Sequence, residues 1–277
     1  MTAEILDMPA IRPSGYFSLA DLPQRGSVAE QAFGTGWWEL DQILKFYLGQ
    51  FVVVTGIAGH GKSTLMLNIL LKLAKERNTR SFLYVPENEA YLYEKMRTMW
   101  SGDSESFDYF AENQCFVQSA VPHVLNEPPH TLDWVLGRAE KAIQHDSVEM
   151  VMIDPWNELE RSKPKDMLLT DYIGQCLMLI KQFCRTLNVI VVMVAHPTKV
   201  ANERTPGLGD IEGSMNWFNK CDNGLIVCRD MGKNTAKVIS AKVREIGAGK
   251  VGACHFYVDP ATGIFTPQHG ASFDVHD

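Results

Sequence analysis

The segment "GIAGHGKST" (56–64) constrains this chain more than any other. It follows the apolar run "QFVVVT" and opens "KSTLMLNILLKLAKER", so the spacing predicts a strand over 50–55, a tight loop, and a helix over 62–77 with Leu65, Ile69 and Leu73 on one stripe. Residues 56–63 match G-x-x-x-x-G-K-[ST] in full, in the strand–loop–helix setting that the pattern requires. The glycines let the backbone N–H groups of Gly56, Ala58, Gly59, His60 and Gly61 converge on phosphate oxygens, and the helix N-terminus adds positive dipole. Lys62 is placed to reach β and γ phosphates, Ser63 to hold Mg²⁺, and Thr64 to touch an inner phosphate. The loop alone therefore predicts a nucleoside triphosphate, ATP or another NTP or dNTP, with Mg²⁺.

Apolar runs and helical stretches alternate along the rest of the chain. "RSFLYVP" (80–86) reads as a strand followed by a helix through Met96. A helix is expected over 130–145, a strand over 148–154, a helix over 170–187 opening on a Thr170–Asp171 cap, and a strand over 188–197. "NGLIVCRD", "KVISAKVRE" and "CHFYVD" are closely spaced strands, read as antiparallel. The pattern predicts an α/β fold: a mostly parallel, twisted sheet with helices on both faces and a C-terminal antiparallel β extension. Residues 1–30 contain prolines and little periodicity, and read as an arm or linker ahead of one domain over 31–277.

Composition narrows the setting. With 277 residues and 45% hydrophobic content the chain can bury a large core, and no apolar run approaches the ~20 residues of a membrane span. The first residues lack a secretory or transit pattern, which predicts a cytoplasmic protein. None of the six cysteines forms a C-x-x-C pair, so they are expected to be reduced thiols and not a zinc ribbon or disulfide frame. The formal charge of −7 argues against a surface that coats nucleic acid, but leaves room for a narrow basic path.

Other strand ends supply the chemistry a bound triphosphate needs. "VEMVMIDPWNELE" puts Asp154 at the carboxyl edge of a buried strand, where a Walker B carboxylate meets the magnesium shell. "FLYVPENEA" offers Glu87 and Glu89 to orient or deprotonate water, and Glu87, first after the strand end, is the candidate. "VVMVAHPTK" ends at the same edge with His196, which can hydrogen-bond a γ-phosphate. Lys242 and Arg244, two apart on one strand, share a face; they form either a solvated edge or a cationic pair reaching a neighbour's nucleotide.

Taken in order, "TGWWELDQIL", "GIAGHGKST", "VPENE", "IDPWNELE", "VAHPTK", "GDIEGSMNWFNKCDNGLIVCRD" and "KVREIG" resemble the RecA-like P-loop NTPase core of hexameric replicative DNA helicases. The likeness runs from about residue 30 to 266 and is strongest to the Twinkle and phage primase–helicase branch, with the DnaB helicases further off. It implies a homo-oligomeric, hexameric ring that hydrolyses nucleotide at subunit interfaces and moves on single-stranded DNA, typically 5′ to 3′, to open forked DNA. By position it implies catalytic roles for Lys62, Glu87, His196 as γ-phosphate sensor, and Arg244 as a trans-acting finger with Lys242 beside it. DNA-facing loops are implied over 157–169 and 198–210, with Lys199 and Arg204 leading and Arg161, Lys163 and Lys165 behind them. The chain carries no zinc ribbon or primase sequence, so a primase or loader is expected to be a separate partner. Only "SLADLPQRGSVAEQAF" (18–33) could serve as the linker helix that docks on a neighbouring subunit in that family. A RecA- or RadA-type filament ATPase and a nucleotide-gated loading module share enough of this core to stay open as alternatives.

Overall fold

The computed structural model describes residues 18–21, 26–87, 89–120, 129–198, 204–213 and 215–268. Among them, nine strands form one sheet: β1 (Phe51–Thr55), β2 (Ser81–Tyr84), β3 (Cys115–Val117), β4 (Met150–Ile153), β5 (Ile190–Val194), β6 (Asn223–Asp230), β7 (Thr235–Val243), β8 (Gly252–Val258) and β9 (Phe265–Pro267). Their order is β3-β2-β4-β5-β1-β6-β7-β8-β9. The helices are α1 (Val28–Gln31), α2 (Trp38–Asp41), α3 (Lys62–Arg77), α4 (Leu92–Met99), α5 (Ser104–Asn113), α6 (Leu132–Asp146), α7 (Leu169–Leu187) and α8 (Met215–Lys220).

Pairing from β3 through β6 is parallel, and from β6 through β9 antiparallel. Strand side chains alternate between two buried layers, as the two-residue period demands. Val52 and Val54 of β1, Met150 and Met152 of β4, and Ile190, Val192 and Val194 of β5 face the layer containing α3. Phe51 and Val53, Val151 and Ile153, and Val191 and Met193 face the layer containing α6 and α7. A sheet covered on both faces explains why these strands read as unbroken apolar runs.

Three expectations are corrected. The strand "NGLIVCRD" is not antiparallel to its neighbours on both sides: β6 runs parallel to β1, with Val52 opposite Asn223, and only then does the sheet reverse. Its direction is set by the α8 connection, which brings the chain back to the start of β1. Helix α7 begins at Leu169 after Leu168, so Thr170 and Asp171 lie inside its first turn, where Asp171 suits the dipole without capping. The helix expected through Met96 runs on to Met99, and α5 and β3 follow it unforeseen. Helix α5 buries only Phe107 and Phe110, too few positions to print a period, although Asp103 caps it by accepting the Ser106 N–H at 2.7 Å.

Candidate active site

Strand β1 sits between β5 and β6, so the loop after Thr55 opens at the carboxyl edge in the middle of the sheet. Gly56 has φ +144° and passes so close to β6 that a Cβ would stand 2.2 Å from the Val227 carbonyl oxygen. Gly59, at the crest, has φ +79° and no heavy atom within 4 Å of its would-be Cβ. Gly61 precedes α3 as its N-cap. Thr55 Oγ1 donates to the Ala195 carbonyl at 2.8 Å, which ties the end of β1 to the residue before His196.

Lys62 is 4% exposed, and its Nζ donates to the carbonyls of Gly56 (2.8 Å) and Ile57 (3.0 Å), curling back over the loop. Burial pushes its pKa down to about 8, against the pull of the Asp154 and Glu87 carboxylates. Asp154 follows β4 and is held by its N–H on the Tyr84 carbonyl at 2.9 Å. It is 2% exposed and hydrogen-bonds Ser63, while Oδ2 has no hydrogen-bond partner among the described residues. Burial raises its pKa; the Ser63 bond and Lys62 act the other way.

Glu87 is exposed at the end of the β2 edge, close enough for its charge to act on both Lys62 and Asp154. Glu89 is used differently: its Oε2 accepts the Ala120 N–H at 2.7 Å. His196 is fixed by its N–H on Asn157 Oδ1 at 3.2 Å, and its Nδ1 is buried without a partner among the described residues. Burial, then the nearby Lys62, lowers its pKa, so the ring is neutral near pH 7.

Ser63 and Asp154 are hard oxygen donors, and the orphaned Asp154 Oδ2 is the kind of atom a divalent cation would satisfy. Among the described residues no three His, Cys, Asp or Glu side chains converge as a cage. That fits Mg²⁺, which takes one or two protein oxygens and completes its shell with phosphate and water.

Three site residues escape a reading of the sequence. Lys95 on α4 is half-buried and charged toward Asp154, but nothing in its helix marks it. Arg229 ends β6 beside the loop, where its N–H donates to His60 Nδ1 at 3.1 Å; burial, Lys62 and Arg229 together lower the His60 pKa. Reading β6 as parallel would have put Arg229 at this edge. Asn157, two residues after the cis Asp154–Pro155 bond, joins the β4 and β5 ends through the His196 N–H.

Lys242 and Arg244 are not brought to this edge. Strand β7 runs antiparallel to β6, and the Arg244 N–H bonds the Asp222 carbonyl level with the start of β1. The five residues of β1, at ~3.3 Å each, put roughly 16 Å between that level and the loop. Lys242 Nζ donates to the Phe218 and Asn219 carbonyls at the end of α8, a favourable place for a cation. Of the loop cations, Arg161 forms a bidentate pair with Glu212, and Arg204 pairs with Asp210 at 2.7 and 2.6 Å. Lys163 donates to the Pro164 and Met167 carbonyls, Lys165 is exposed, and Lys199 lies outside the described residues.

The six cysteines are unbridged, and no helix among the described residues is long and apolar enough to cross a membrane. The arm expected over 1–30 falls largely outside the described residues; its described end, α1, lays Ala29 against Gly247.

A family profile described as "ATPase: KaiC" matches residues 33–214. The chain is 30% identical over 259 residues to the Twinkle homolog protein, chloroplastic/mitochondrial, of Arabidopsis thaliana, covering 86% of itself but 36% of that relative. Among solved structures, a free-standing ATPase domain superposes with a TM-score of 0.68 at 18% identity, covering 86% of this chain and 93% of that one. A DnaB-like replicative helicase, described with its interactions with primase, gives 0.69 at 17% identity, covering 86% and 64%. The shared fold is the RecA-like one expected from the motif order.

Proposed function

We propose that this chain, which belongs to the KaiC-type ATPase family, is a nucleotide-driven replicative DNA helicase motor whose catalytic sites are completed between neighbouring copies. One observation carries the proposal. Lys62, Ser63 and Asp154 gather at one sheet edge within reach of the Glu87 charge, while Lys242 and Arg244 stand at the opposite edge and cannot serve the same loop. A monomeric switch has no need of a cation pair so placed. A ring does, because it sets one copy's far edge against another's loop.

In this mechanism the loop N–H groups and Lys62 hold the phosphates of ATP or another NTP or dNTP. Mg²⁺, carried by Ser63 and Asp154, supplies charge neutralisation on the phosphates when bound. Glu87 orients and deprotonates the attacking water, which its exposed position beside Lys62 permits. His196, neutral, hydrogen-bonds the γ-phosphate, and the loop after it, beginning at Thr198, responds to the loss of that group. Arg244 of the adjacent copy steadies the charge of the transferring phosphoryl group. The loops over 157–169 and 198–210 face single-stranded DNA and hold its backbone. Residues 31–277 form the motor and the arm reaches the neighbouring copy.

The test is strand displacement on a forked duplex, with single-stranded DNA-stimulated hydrolysis followed in parallel. Wild type should open the fork and hydrolyse faster with DNA, and Lys62→Ala should do neither. Hydrolysis indifferent to DNA, with no fork opened, would favour a loading or switch module; DNA-stimulated turnover without unwinding would favour a filament ATPase.

A further inference from the structure

We infer that Asp222 is the positioning residue that aims Arg244 across the subunit interface. The inference rests on the shared-site reading above. Asp222 lies between α8 and β6 with its side chain 3% exposed. Its N–H donates to the Phe51 carbonyl at 2.8 Å and its Oδ2 accepts the Phe51 N–H at 2.9 Å, so the carboxylate is pinned to the first residue of β1. Its carbonyl accepts the Arg244 N–H at 2.9 Å, and its Oδ1 accepts Arg244 Nε at 2.9 Å. Backbone and side chain of the arginine are therefore both held by this one residue.

The guanidinium is also held by its second nitrogen. Nη2 donates to the carbonyls of Asn219 (2.7 Å) and Cys221 (3.2 Å). A guanidinium is planar, so fixing Nε and Nη2 fixes the plane and leaves Nη1 along the remaining edge. Nη1 has no hydrogen-bond partner among the described residues, and the side chain is 35% exposed. The arginine is thus gripped along one edge and offers the other, at the face that the sheet turns away from its own phosphate loop.

Charge follows the same logic. The Asp222 carboxylate also takes Lys181 Nζ at 2.7 Å, with Lys181 15% exposed. One negative charge against two positive ones leaves the cluster net positive. A carboxylate paired with Arg244 alone would cancel the charge that a phosphate must attract. Lys181 therefore lets Asp222 orient the guanidinium without neutralising it.

Asp222→Asn should lower DNA-stimulated hydrolysis by about 10²-fold, the cost of a misplacement of ~1 Å at a catalytic contact, while nucleotide binding changes less than about twofold. Mixed with Lys62→Ala subunits, which carry an intact Arg244 edge, the Asp222→Asn subunits should regain hydrolysis, because their own loops are sound. A merely structural Asp222 would give no such rescue. If Asp222→Asn does not fold, Lys181→Ala, in a less buried position, should show the same loss and the same rescue at about tenfold. The inference is overturned if hydrolysis by Asp222→Asn stays within about threefold of wild type while Arg244→Ala is inactive, or if the loss is not restored by mixing. Should Arg244→Ala keep full hydrolysis, the shared-site reading itself falls.

Discussion

Replacing Gly56 by alanine tests how tightly the phosphate loop is built into the sheet. The new Cβ would stand 2.2 Å from the Val227 carbonyl oxygen, far inside the ~3.5 Å at which such atoms rest together. The obstacle is backbone of β6, so relief requires β1 and β6 to part at the mouth of the loop. Overpacking of that kind costs ~1–3 kcal/mol, and a φ of +144° strains any side chain by a further ~1–3 kcal/mol. The expected loss is on the order of 4 kcal/mol, or about 10 °C in Tm for a domain of this size. Gly59→Ala is the internal control: it shares a positive φ but meets nothing within 4 Å, so it should cost ~1 kcal/mol and about 3 °C. Thermal unfolding of both variants without nucleotide, followed by circular dichroism, makes the comparison. If Gly56→Ala melts within about 2–3 °C of wild type, or Gly59→Ala falls as far as Gly56→Ala, the loop is not seated against β6 as described.

Glu87→Gln should reduce kcat by about 10²–10⁴-fold with nucleotide affinity retained, whereas Glu89→Gln should loosen the segment at Ala120 and leave kcat within a few-fold; steady-state kinetics with equilibrium nucleotide binding separate the two, and equal losses would refute the division of roles. Burial and Lys62 hold His196 below the usual 6.5, so an unfolded ring binds its proton before the folded one as pH falls. This histidine therefore subtracts from stability only below that pH, and hydrolysis should decline there as the ring gains charge beside Lys62. A pH–rate profile in which His196→Asn keeps the full acidic decline would show that another group causes it.

Much of this architecture can be read from residue order alone. The runs "FVVVT", "VEMVMID" and "NVIVVMVAHP" announce buried parallel strands because helices cover both faces, and their carboxyl ends deliver Lys62, Asp154 and His196 to one edge. What the sequence hides depends on pairing. Neighbouring strands of similar spacing look antiparallel, so β6 reads in the wrong direction, and Arg229 goes unnoticed beside His60. Lys95 reaches Asp154 only because α4 crosses above β4, a packing that no local pattern records. Composition finds the cations of the DNA-facing loops but does not tell an engaged arginine from a free one; Arg161 and Arg204 are both paired with carboxylates.

The most direct test of the shared site is subunit mixing of Lys62→Ala with Arg244→Ala. Each variant alone should hydrolyse at least about 10³-fold more slowly than wild type, and Arg244→Ala should still bind nucleotide. In an equal mixture, roughly a quarter of the interfaces join an intact loop to an intact Arg244 edge, and DNA-stimulated hydrolysis should recover toward that fraction. A mixture as inactive as its parts, or an Arg244→Ala subunit that no longer binds nucleotide, would contradict a site completed by the neighbouring copy.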